Sequence, residues 1–174
     1  MTVAVDEGAV VVEPMRVSTA QINDYAVRVG EAFEIYDEHG WADLDLLLSR
    51  LGGEVEVRDG LESLVVHRDG TFTVYVPTRT SPRRDRFTIA HEIGHYLLHH
   101  LNGDTSLRRF TRAGSNAAET QANYFAAALI MPQDFFSKAH AELEGDLWRL
   151  ARRFDVSPAA AQVRCAVLGL GAAK

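Results

Sequence analysis

Apolar residues recur at helical spacing from Ile22 through Ala26, Val29 and Phe33 to Tyr36, behind a Ser18 that can cap. The pattern predicts a helix over 18–39. A second helix is expected over 41–51, stopped by Gly52-Gly53. The period then changes. Val55 and Val57 alternate with Glu54, Glu56 and Arg58, Leu64-Val65-Val66 follows, and 71–76 comes after the turn residues Asp69-Gly70. These segments read as three short strands, the last two a hairpin. Helical spacing returns over 83–101, where Asn102-Gly103 ends it. Residues 103–116 are polar and read as a mobile loop. An alanine-rich helix over 117–130 closes at Met131-Pro132. Shorter helices are expected over 133–142 and 146–154, and a last one starts at Ser157-Pro158 and ends before Gly169.

This pattern predicts an α+β fold: a small, mostly antiparallel three-stranded sheet packed with helices, and a helical C-terminal tail. Residues 1–16 show no clear period and read as a loose arm or an added edge strand. A core over 17–142 follows, then the tail over 143–174.

Composition narrows the classes. At 174 residues, 47% hydrophobic and 24% charged, the chain has the values of one ordinary globular domain. No window approaches a membrane span, and the early apolar run 9–12 is too short for a secretion signal. The single cysteine, Cys165, excludes an internal disulfide and a cysteine-rich zinc site, which makes a reducing cytoplasm the expected compartment. A net charge of −6 argues against a nucleic-acid binder. Seven histidines is a high count, and His91, His95, His99 and His100 fall within ten residues.

His91-Glu92-Ile93-Gly94-His95 is an HExxH sequence inside a helical stretch, the helix that a zincin-like fold requires. On a helix, His91 and His95 share one face about 6 Å apart along the axis. Two imidazole nitrogens at that spacing can take two corners of a Zn²⁺ tetrahedron. Glu92 lies roughly 100° round from His91, in the same half of the helix but not ligating. A general base must stand there to take a proton from the attacking water. Gly94 would let a neighbouring element pack close.

A catalytic zinc needs a third protein ligand. Leucines stand at 98 and 101, so no third histidine extends the motif. His99 rises roughly 12 Å from His91, too far to share the metal, and reads as a group behind a ligand or on the surface. His140 stands on another helix. The best candidate is Glu119, 24 residues after His95, and the alternative is that it merely favours a helix start. Asn123 shares its face and could orient a ligand histidine. The small Ala122 and Ala126 would let the two helices approach closely.

The stretch from Arg86 to His99 resembles the core of the ImmA/IrrE family of metallopeptidases, and so does the stretch from Glu119 to Pro132. Val76-Pro77 and the closing segments Leu150-Ala151 to Gly169-Leu170 fit as well. The resemblance covers roughly residues 20 to 170. It implies a zinc-dependent peptidase that acts on a partner helix-turn-helix repressor and so derepresses its genes. By position it implies His91, His95 and Glu119 as zinc ligands and Glu92 as general base. The family often carries an acidic residue where this chain has Gln121. The length leads to the expectation of a peptidase core with a short tail and no sensor domain.

Two rival readings come from other classes. The tail 150–164 resembles a helix-turn-helix, with Arg149, Arg152 and Arg153 available for phosphates. Its second helix offers mainly Pro158, Ala159, Ala160, Gln162 and Arg164, poor material for reading base edges. The expectation is therefore a protein partner and no DNA. The other rival is an antirepressor that grips its partner without cutting. Tyr96, His99, His140 and the loop arginines are candidates for stabilising the oxyanion. An extended substrate could add to the strand 71–76, expected as an exposed edge. Trp41 and Trp148 read as core anchors, and Cys165 as a small core residue.

Overall fold

The computed structural model describes residues 14–101, 108–111 and 117–171. Among these, seven α-helices pack with one four-stranded sheet, an α+β arrangement. The helices are α1 (Thr19–Ala32), α2 (Leu44–Leu51), α3 (Pro82–His95), α4 (Ala117–Ile130), α5 (Gln133–Glu142), α6 (Leu147–Phe154) and α7 (Pro158–Val167). The strands are β1 (Gly53–Arg58), β2 (Ser63–Val66), β3 (Phe72–Pro77) and β4 (Arg108–Thr111). No helix among the described residues is long and apolar enough to cross a membrane.

Local chemistry sets the element ends. Ser18 and Gln21 form a reciprocal capping box at the start of α1. The expected helix over 18–39 stops at Ala32 instead. Tyr36 repeats the helical period, but it folds back over Gly30 and donates its hydroxyl hydrogen to the Leu129 carbonyl at 3.0 Å. Asp37 Oδ1 then accepts from His39 N at 2.9 Å and Trp41 N at 2.8 Å, turning the chain. Residues 41–43 are therefore not helical, and Asp43 caps α2 by accepting from Leu46 N at 2.9 Å. Gly52 ends that helix in the left-handed region at φ 75°.

The strand order is β1-β3-β2-β4. β2 and β3 form the expected antiparallel hairpin, while β1 pairs with β3 in parallel. This corrects two expectations. Segment 71–76 is interior, because β1 and β2 flank β3, and among the described residues the outer strands are β1 and β4. Within the polar segment 103–116, residues 108–111 form a fourth strand antiparallel to β2, and the rest lies outside the described residues. Of the arm 1–16, residues 1–13 also lie outside them.

The core joins sheet and helices. Leu64, Val66, Phe72 and Val74 are fully buried on the sheet, which packs on α3, and they share one core with Ala90 and Ile93 of α3 and Phe125 and Leu129 of α4. Immediately after α3 the chain widens into one π-helical turn, Tyr96–His100, instead of the regular helix expected through 101. Tyr96 in that turn stacks on Phe72, with ring centroids 4.1 Å apart, and donates to the Gly70 carbonyl at 3.1 Å. The hairpin tip is thus tied to the end of the HExxH helix. In the tail, Cys165 is buried as expected, whereas Trp148 is 74% exposed and anchors nothing. The amphipathic α6 turns Leu150, Ala151 and Phe154 inward instead.

Candidate metal centre

Helix α3 begins at Ser81, which caps it by accepting from Arg84 N, followed by Pro82 at its first position. Its last turns are buried almost all round: His91, Glu92 and His95 are each no more than 2% exposed. Helix α4 lies directly against them. A Cβ on Gly94 would stand 3.1 Å from Phe125 Cδ1 and 3.3 Å from Ala122 Cα. Gly94 and the fully buried Ala122 and Ala126 therefore set how closely the two helices approach.

That approach brings three donors together. His91 Nε2 lies 3.1 Å from His95 Nε2, and each faces one oxygen of Glu119, at 3.2 Å and 3.1 Å respectively. Among the described residues these three form a group of potential metal ligands. A tetrahedral zinc ion with bonds of about 2.0–2.1 Å has ligand-to-ligand edges of about 3.3 Å, close to the 3.1 Å between the two imidazole nitrogens, and the Glu119 carboxylate stands at similar range from both. Burial raises the pKa of Glu119, but hydrogen bonding to His91 and His95 outweighs it and holds the carboxyl well below the usual range. The carboxylate is ionised, as a metal ligand must be.

The outer nitrogens of both histidines are engaged. His91 Nδ1 lies 2.9 Å from Asn123 Oδ1. His95 Nδ1 lies 3.1 Å from His99 Nδ1, and His99 Nε2 lies 3.1 Å from Gln121 Oε1. Burial pushes the His99 imidazole down to about 4, so it is neutral at ordinary pH. His99 is only 6% exposed, which removes the surface alternative. Gln121 in turn pairs with the main chain of Met15, accepting from its N–H at 2.9 Å and donating to its carbonyl at 2.7 Å. Sequence reasoning noted Gln121 only as a departure from a family pattern. The clue available was its place on α4 between Glu119 and Asn123.

Glu92 is not one of the three converging donors; it follows His91 on the same helix and is 1% exposed. Other candidates stand elsewhere. His140 Nε2 binds the Gly171 carbonyl at 2.8 Å, His100 stacks on Tyr96, and the Tyr96 hydroxyl is committed to Gly70. In the tail, Arg164 is 2% exposed and donates to the Met131 carbonyl at 3.0 Å, so it is not presented for base contacts.

The family model of the IrrE N-terminal-like domain, peptidase family M78, matches residues 43–166. The chain belongs to that family. The match spans α2 to nearly the end of α7 and so includes both helices of the site. No curated protein matches the chain in sequence. Among solved structures, a Mycobacterium tuberculosis transcriptional regulator is similar, with a TM-score of 0.60 and 22% identity over 84% of this chain. The aligned chain spans 46% of that regulator's length, and the likeness concerns the fold. As an IrrE N-terminal-like domain, the chain carries its candidate metal ligands on the two helices that pack most intimately.

Proposed function

We propose that this IrrE-like domain is a zinc-dependent endopeptidase whose substrate is a partner repressor of the helix-turn-helix type. The observation that carries the reading is the convergence of His91 Nε2 and His95 Nε2, on a buried HExxH helix, with the Glu119 carboxylate of α4. A bound zinc ion would polarise the scissile carbonyl and the attacking water. Glu92 would accept one proton from that water as its oxygen adds to the carbonyl carbon. The same carboxyl would return the proton to the leaving nitrogen as the C–N bond breaks. Asn123 and His99 would hold the ligand rings in orientation.

The surroundings suit a peptide. Asn123 lines a groove of about 370 Å³ whose other walls include Phe87, Tyr124, Met131 and Val163, a surface suited to apolar side chains. An extended substrate adding a strand would use an outer strand, β1 or β4 among the described residues, rather than the interior β3. The cytoplasm, where a repressor works, is the compartment of this reading. The test is the zinc-loaded protein incubated with the cognate repressor, beside its Glu92→Gln variant. Wild type is expected to cleave the repressor and the variant to bind zinc equally well without cleaving. Equal cleavage by the variant would exclude the mechanism. Loss of repression by both proteins without any cleavage would favour the antirepressor reading.

A further inference from the structure

We propose that Gln121 is a positioning residue that fixes which nitrogen of His95 is free to bind metal, and that it takes its own orientation from the main chain of Met15. The inference rests on the reading of His91, His95 and Glu119 as a metal site and adds a residue to it.

The argument begins at groups with no choice. A main-chain N–H can only donate and a main-chain carbonyl can only accept. Gln121 meets both of Met15's groups, at 2.9 Å and 2.7 Å, so its amide cannot be turned round: Oε1 faces the Met15 N–H and Nε2 faces the Met15 carbonyl. That same Oε1 lies 3.1 Å from His99 Nε2, which must therefore carry the hydrogen. Of two ring nitrogens in hydrogen-bond contact one must accept, and His99, whose hydrogen is held on Nε2 by Gln121, accepts at Nδ1. His95 Nδ1, 3.1 Å away, must then donate to it. His95 Nδ1 is thereby committed as a donor, so Nε2, the atom that faces His91 Nε2 and Glu119, is the nitrogen that gives up its hydrogen to a metal.

Each link is sheltered: Gln121 is 9% exposed and His99 6%, so water competes weakly for these bonds. The two ligand histidines are thus oriented from one helix by different routes. Asn123 reaches His91 directly, and Gln121 reaches His95 through His99. Without the Gln121 acceptor, His99 could place its hydrogen on Nδ1. His95 would then shift its own hydrogen to Nε2 and block the ligand atom.

The experiment measures imidazole ¹⁵N shifts by long-range ¹H–¹⁵N correlation in the metal-free protein, and zinc affinity by competition with a chromophoric chelator. Wild type is expected to show His99 as the Nε2–H tautomer and His95 with a hydrogen on Nδ1. Gln121→Met, which removes the acceptor at similar volume, is expected to populate both His99 tautomers and to weaken zinc about 10–100-fold. A wild-type His99 protonated on Nδ1 overturns the proposal whether or not the variant folds. So does a folded Gln121→Met with unchanged shifts and unchanged zinc affinity, a result that leaves the metal site itself intact. Wild-type protein that binds no zinc, yet shows the expected tautomers, would instead remove the reading of a metal site.

Discussion

Replacing Gly94 with alanine tests whether helix packing sets the metal site. The added methyl would stand 3.1 Å from Phe125 Cδ1 and 3.3 Å from both Cα and O of Ala122. Relaxed carbon contacts lie at about 3.5–4.0 Å. Two of the three obstacles are main chain of α4 and cannot rotate away, and Phe125 is fully buried. Helix α4 must therefore retreat by a few tenths of an ångström. Such overpacking costs about 1–3 kcal/mol, and alanine returns up to about 1 kcal/mol in helix propensity. The net loss is about 1 kcal/mol, or about 2–4 °C in Tm for a chain of this size. Glu119 rides on α4 three residues before Ala122, so the retreat also draws the carboxylate from His91 and His95. A tenfold loss of zinc affinity would lower zinc-induced stabilisation by about 1.4 kcal/mol at fixed excess zinc. Calorimetric melts of Gly94→Ala and wild type, each with chelator and with zinc, read both numbers. A metal-free Tm above wild type together with an unchanged zinc-induced shift would refute the reasoning.

Three further outcomes are expected. Glu119→Gln should lose stoichiometric zinc on equilibrium dialysis; one zinc retained per chain would remove Glu119 from the ligand set. His99 has its pKa lowered by burial from 6.5 to about 4, so the unfolded chain takes up a proton that the native state refuses. Its contribution is full above pH 6.5 and is lost as pH falls through about 4, on the order of 3 kcal/mol. Urea melts of the chelated protein at pH 7 and pH 4.5 should show this drop, and His99→Gln should flatten it; identical slopes would count against it. Arg164→Ala should cost about 3 kcal/mol, because it removes a fully buried side chain and its bond to the Met131 carbonyl. A loss below about 1 kcal/mol would show that the guanidinium contributes little.

Much of this was legible because the signals were local. The HExxH spacing places His91 and His95 by helix geometry alone, and Gly52, Pro82, Ser157 and Pro158 mark element ends through backbone chemistry. What the sequence hid was decided by tertiary partners. Tyr36 keeps the helical period yet leaves the helix, because its hydroxyl finds Leu129 in α4, 93 residues away. Segment 108–111 gains its ladder from β2, far earlier in the chain, and a sequence with two arginines in four residues carries little strand signal. Gln121 looked like a departure from a pattern, since its partners lie at residues 15 and 99, distant in sequence. The place of β3 inside the sheet was invisible for the same reason: a parallel neighbour leaves no turn to read.

That parallel neighbour has a kinetic consequence. β2 and β3 are separated only by residues 67–71 and can zip as soon as the turn closes. β1 must wait, because the 13-residue connection 59–71 that brings it beside β3 contains β2, on β3's opposite flank. The expected order is therefore the hairpin first and β1 later. Core substitutions in β2 or β3 should slow refolding, and substitutions in β1 should chiefly hasten unfolding.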